Sequence, residues 1–200
     1  MFSKTLSKFY ISAVYCNIRY DKKRDIMKLI GHLRTVMTHR RIVRRYCFRA
    51  GLYFQGITHD LSKYSPVEFI NGVKYFTGTK SPHSGERADK GYSAAWLHHK
   101  GRSKHHPEYW TDYGADGGPY GGIKMPVKYV VEMFCDRLAA CRVYHKENYR
   151  DSDAYDYYMK SKDKCPLHPE TSELLCRLLT IVKDEGEDAA FRYIRNELLK

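Results

Sequence analysis

No stretch of this chain approaches the roughly 20 uninterrupted apolar residues of a membrane span, because Arg, Lys or His breaks every apolar window within a turn or two. A span is therefore excluded, and no membrane partner is expected. Cysteine pairs are also missing: the six cysteines (Cys16, Cys47, Cys135, Cys141, Cys165, Cys176) include no Cys-x-x-Cys. A 200-residue chain does not need disulfide staples, so these read as reduced core residues in a cytoplasmic protein. The first residues lack the small-residue cleavage site of a secretory leader. Alternating β-branched runs are scarce, which points to an all-α fold, and neither internal repeats nor low-complexity tracts occur. Acid is in short supply too: 23 Asp and Glu against 35 Lys and Arg leave a net charge of +12. That balance suits a polyanionic partner, either a phosphorylated substrate steered to a site or a nucleic acid.

What is present is enough apolar material, 42% of residues with 14% aromatic, for a packed core. The length fits one domain, or one domain with a small appendage. Residues 1–26 read as a loosely attached extension, 27–150 as a helical core and 151–200 as helices packed upon it. A clean helical pattern opens at Met27 and runs to Ala50, with His32, Val36, His39, Val43 and Tyr46 on one stripe. Arg40, Arg41, Arg44, Arg45 and Arg49 form its basic outer face. A second helix is predicted over Leu52–Tyr64, and Ser65-Pro66-Val67-Glu68 reads as a capping box opening a third. Residues 79–91 read as loop, 93–100 as a short helix, and the glycine-rich segment 112–124 as irregular loop. Pro126 opens the strongest helix, through Val127, Val130, Val131, Phe134, Leu138 and Cys141, and further helices are expected at 152–160, 169–185 and 187–199.

Eight of ten histidines fall between residues 32 and 106, among them His32, His39, His59, His98, His99, His105 and His106. His59-Asp60 sets an imidazole beside a carboxylate, a mixed donor set that suits Mn, Fe, Zn or Co. Lys63 follows His59 by one helical turn, and Asp136 sits beside the apolar stripe of the strongest helix, four residues after Glu132. Adjacent helical residues point about 100° apart, so one member of each pair, His98-His99 and His105-His106, is expected to face a single site. His98 and His105 are slightly preferred, with His99 and His106 as alternatives, and His32 is the alternative to His39.

The order His39, His59-Asp60, histidine pairs and Asp136 resembles the His…His-Asp…Asp pattern of the HD-domain superfamily of metal-dependent phosphohydrolases. His59-Asp60-Leu61-Ser62-Lys63 resembles its HD-x-G-K motif, with Ser62 where glycine is usual. The resemblance implies an all-helical bundle in which His39, His59, Asp60 and Asp136 hold one divalent metal (Mn, Fe, Zn, Co or Mg). It also implies that His98 and His105 complete a second position. Asp60 and Lys63 would be catalytic, and Lys63, Arg102 and Lys104 would bind the phosphate of a nucleotide or other phosphorylated small molecule. No Gly-Tyr-Pro triplet follows the second histidine pair, so specificity for cyclic dinucleotides is not implied. Across about residues 27–145 the chain is also similar to a bacterial and phage family sharing HDLSKYSP, WLHHKGRSKHHPEYW and EMFCD. Two rival readings are a di-iron oxygenase on an HD-like scaffold and a non-enzymatic, basic nucleic-acid-binding helical protein.

Overall fold

The computed structural model describes residues 3–114, 118–164 and 167–200, with side chains from residue 22 onward. The fold is an all-α bundle. Helix α1 (Ser3–Arg49) is followed by α2 (Tyr53–Thr58), a 3-10 turn (Leu61–Tyr64), α3 (Pro66–Lys74), α4 (Pro82–Lys90) and α5 (Ala94–Lys100). A small hairpin of β1 (Thr111–Tyr113) and β2 (Tyr120–Gly122) follows, with Tyr113 opposite Tyr120. Helices α6 (Val127–His145), α7 (Asp153–Ser161), α8 (Pro169–Glu185) and α9 (Glu187–Tyr193) complete the bundle.

Helix α6 is the axis of the core. Val130, Val131, Met133, Phe134, Cys135, Leu138 and Ala139 are all buried, so it is enclosed on nearly every side. It packs on α1, α7 and α8. The core cluster joins Val43, Tyr46 and Cys47 of α1 to Leu175, Leu178, Leu179 and Val182 of α8 and to Ala190, Phe191 and Ile194 at the C-terminal end. Burying each such large side chain stabilises by roughly 1.5–3 kcal/mol, so α8 and α9 complete the core rather than lying upon a finished one. Glu187 ties them in: it accepts hydrogen bonds from Tyr46 Oη (2.7 Å), Arg142 Nη2 (2.8 Å) and Arg49 Nη1 (3.2 Å). Cys47 and Cys135 are buried free thiols, and Cys141 and Cys176 are half-buried ones. The side chains of Cys16 and Cys165 lie outside the described residues.

The structure departs from the sequence reading in several places. Met27 does not open a helix, since α1 is already continuous from Ser3. Residues 82–90 are helical, and the glycine-rich segment contains the hairpin. Two arginines of the supposedly solvated face of α1 have structural work: Arg49 pairs with Glu187 and Asp188, and Arg40 reaches across to α2. The helix expected over Leu52–Tyr64 is broken at its centre, at the His-Asp pair.

Candidate metal centre

Helix α2 stops at Thr58, and His59 is extended (φ −48°, ψ 126°) while Asp60 takes a left-handed conformation (φ 53°, ψ 29°). A non-glycine residue there costs of order 1 kcal/mol or more, and aspartate is among the side chains that tolerate it. Arg40 holds the break in place, donating from Nε to the His59 carbonyl (2.8 Å) and from Nη2 to the Ile57 carbonyl (3.1 Å). These carbonyls end α2 and lack partners within the helix. The result is that His59 and Asp60, 2% and 5% exposed, both enter the protein interior.

Asp60 lies at the centre of two groups of donors. Its Oδ2 faces His39 Nε2 (3.9 Å) and His59 Nε2 (3.4 Å). Asp136 closes that group, with Oδ1 at 2.9 Å from His39 and 3.6 Å from His59. The other oxygen of Asp60, Oδ1, faces His99 Nε2 (3.3 Å) and His105 Nε2 (3.4 Å), and His106 Nε2 lies 3.0 Å from His99 Nε2. Within each group the donor atoms lie within 4.8 Å of one another. Ligands about 2.1 Å from a common ion have edges of about 3.0–3.4 Å in octahedral or tetrahedral arrangement. Most of the observed separations fall close to that range.

Two buried glutamates stand behind the histidines. Glu132 Oε1 accepts from His59 Nδ1 (3.0 Å) and is 3.3 Å from His105 Nδ1. Glu68 accepts from His98 Nδ1 at Oε1 (2.7 Å) and from His99 Nδ1 at Oε2 (2.9 Å). A carboxylate on Nδ1 fixes the tautomer, orients the ring and leaves the Nε2 lone pair free, as in histidines prepared for a metal. Among the described residues, His59 Nε2, His105 Nε2 and Asp60 Oδ1 are buried without a hydrogen-bond partner. Orphaned polar atoms of this kind are costly. They belong to the two donor groups that share Asp60, and a cation at either would give them a partner, so the residues fit a divalent cation.

The electrostatics agree. Burial works against the ionised forms of Asp60 and Asp136, yet neighbouring His59, Lys63 and His99 in one case, and His39, His59 and His105 in the other, hold both carboxyls well below the usual range. Glu68 and Glu132 are likewise lowered, despite burial, by the histidines they accept from. Burial lowers His39, and burial with the nearby His105 and His99 holds His106 well below its ordinary value, leaving both neutral. Burial also opposes protonation of His59, but Asp60, Asp136 and Glu132 outweigh it and raise the imidazole well above its ordinary value. Four carboxylates thus converge with Lys63 and with His59 and His99, whose imidazoles they raise above the ordinary value, so the cluster favours positive charge at its centre.

Of the residues read from the sequence, His39, His59, Asp60, His105 and Asp136 come together as expected. His98 does not: α5 turns His99, fully buried, into the site, and His98 is drawn to Glu68. Both members of the second pair approach the site, because residues 105 and 106 lie in a non-helical turn where the 100° rule does not apply. His32 belongs to none of the donor groups and is seated between Phe69 and Phe76 over Gly72. A Cβ on Gly72 would lie 2.2 Å from His32 Nε2. Arg102 donates to the His98 carbonyl and Lys104 lies over the Tyr109 ring, so both are engaged elsewhere than on the donor atoms of the cluster. Lys63 reaches Asp60 Oδ2 at 3.0 Å from the 3-10 turn, not from a helical face shared with His59. Glu68 was the residue missed: its place in Ser-Pro-Val-Glu resembles a capping box, but Ser65 makes no side-chain cap and the carboxylate turns to the histidines instead.

The chain belongs to a family of unknown function, DUF5662, whose model matches residues 28–181. That range includes every residue of the cluster. No curated protein and no solved structure matches the chain.

Proposed function

We propose that this protein is a metal-dependent phosphohydrolase of HD type, acting on a nucleotide or another phosphorylated small molecule. The observation that carries the reading is the Asp60 carboxylate, which offers one oxygen to each of two histidine-rich groups, and each group contains a buried, unpaired imidazole nitrogen, His59 Nε2 in one and His105 Nε2 in the other. His39, His59, Asp60 and Asp136 would hold one divalent ion, and Asp60, His99, His105 and His106 a second. Such ions lower the pKa of a bound water toward neutrality and neutralise phosphoryl oxygens.

The protein's own residues supply the rest. Glu132 and Glu68 keep the imidazoles in the tautomer that presents Nε2. Asp136 and His39, with side chains 18% and 12% accessible, are more open than His59, His99 and His105 at 0–3%, and His106 is half-buried as well. The side of His39 and Asp136 would admit substrate. Lys63, 26% accessible, stands on that side beside Asp60, placed to meet an anionic oxygen.

The test is metal content of protein purified without chelator, followed by a screen of phosphorylated compounds with each metal restored. Turnover that tracks divalent metal supports the proposal. Two irons per chain with redox-dependent absorption and oxygen uptake would instead establish the oxygenase, and metal-free protein that binds nucleic acid without turnover would remove both enzymes.

A further inference from the structure

The outer face of α1, away from the metal cluster, carries charge without counter-charge. Arg34, Arg41, Arg44 and Arg45 are exposed, and no acidic side chain among the described residues lies within ion-pair distance of them. Spaced three and four apart with them come exposed apolar residues: Met37 is 55% and Phe48 37% accessible. The strip continues onto α2. Phe48 stacks edge-on against Tyr53 (5.3 Å), and Gly56 of α2 packs against Cys47 and Phe48, so the two helices share one surface. Here Tyr53, Phe54 and Ile57 stand 57%, 75% and 59% exposed.

An exposed phenylalanine, isoleucine and methionine among unpaired arginines is an unusual combination. Phosphates of a nucleic-acid backbone need only the arginines, and gain nothing from Ile57 or Met37. An aqueous surface needs neither. A bilayer interface with anionic headgroups satisfies both halves: guanidinium groups meet lipid phosphates, and apolar side chains beside them enter the headgroup boundary. We infer that the face formed by α1 from Arg34 to Phe48 and by α2 from Tyr53 to Ile57 docks on an anionic membrane surface. No helix among the described residues is long and apolar enough to cross a bilayer, so the association is peripheral.

The experiment uses the full chain with vesicles of phosphatidylcholine alone or mixed with phosphatidylserine, read by co-sedimentation. Binding is expected only to the anionic vesicles and is expected to weaken with salt. Replacing Arg41, Arg44 and Arg45 together by Gln should lower it roughly a hundredfold, at about a tenfold or less per cationic residue. Phe54→Ser should weaken it as well, while leaving charge, melting temperature and metal content unchanged. Failure of the native chain to bind anionic vesicles at low salt overturns the inference. So does binding insensitive to Phe54→Ser, or binding to duplex DNA or RNA in place of vesicles. A dimer in solution that Phe54→Ser dissociates would assign the face to a second copy and equally overturn it. None of these outcomes bears on metal-dependent turnover.

Discussion

Lys63 Nζ lies 3.0 Å from Asp60 Oδ2, the carboxylate oxygen that also faces His39 and His59. The lysine is thus the one fixed cation among four converging carboxylates, and Asp60 and Asp136 raise its pKa against the pull of burial. Lys63→Met should keep the fold and the metal but cut turnover of a phosphorylated substrate by roughly a hundredfold, the scale of one preorganised electrostatic contact. Turnover, metal content and melting temperature measured on the same sample decide it. Full activity with full metal would confine Lys63 to charge balance.

Glu132 touches a histidine of each group, so its loss should be felt in both. Glu132→Gln is expected to weaken metal retention by roughly 10–100-fold, the usual range for a partner behind the ligands. Competition with a graded chelator, read as metal per chain, measures it.

Within each histidine pair the structure discriminates. His99→Ala should lose metal, whereas His98→Ala should retain it, since His98 meets the cluster only through Glu68. His32→Ala should also retain metal and should lower stability through the gap left over Gly72. Equal metal content in all three variants would remove His99 from the ligand set.

Acid should also act outside the cluster, at Glu187. Burial alone would raise Glu187, but hydrogen bonds from Tyr46 and Arg142 and the charges of Arg142 and Arg49 hold its carboxyl below the ordinary value. A lowered folded pKa contributes stability that is present above the unfolded value of about 4.3 and is lost as pH falls through the folded one. Glu187→Gln should therefore cost about 1–3 kcal/mol near neutral pH, discounted for partial exposure. The gap from the native chain should close below about pH 4. Urea unfolding across that range tests it, and a gap that persists in acid would mean the loss is one of packing alone.

Much of this was legible in the residues. The stripe of His32, Val36, His39, Val43 and Tyr46 needs only the helical period, and burial follows it. The apolar run of α6 likewise places Asp136 beside the core. His39 and Asp136 reach the cluster because α1 and α6 are locally encoded helices whose apolar stripes carry them to the core. What resisted reading is set by long-range competition. Glu68 has a local role in a capping box, yet two imidazoles thirty residues away attract it more strongly. The choice of His99 over His98 follows from that same docking of α5 on α3. The break at Asp60 has no proline or glycine to announce it, and it stands because Arg40 of α1 occupies the freed carbonyls.

The cluster draws its members from α1, the turn after α2, α5 and the segment after it, and α6, so the two groups that share Asp60 close loops that together span nearly a hundred residues of chain, from His39 to Asp136. In an unfolded chain such closure is entropically costly, by an amount that grows slowly with loop length. A divalent ion held there acts as a cross-link made of coordination bonds in a protein whose described cysteines form none of sulfur. Its removal should loosen α1 and α5 first, as faster amide exchange in those helices, before the α6–α8 core gives way.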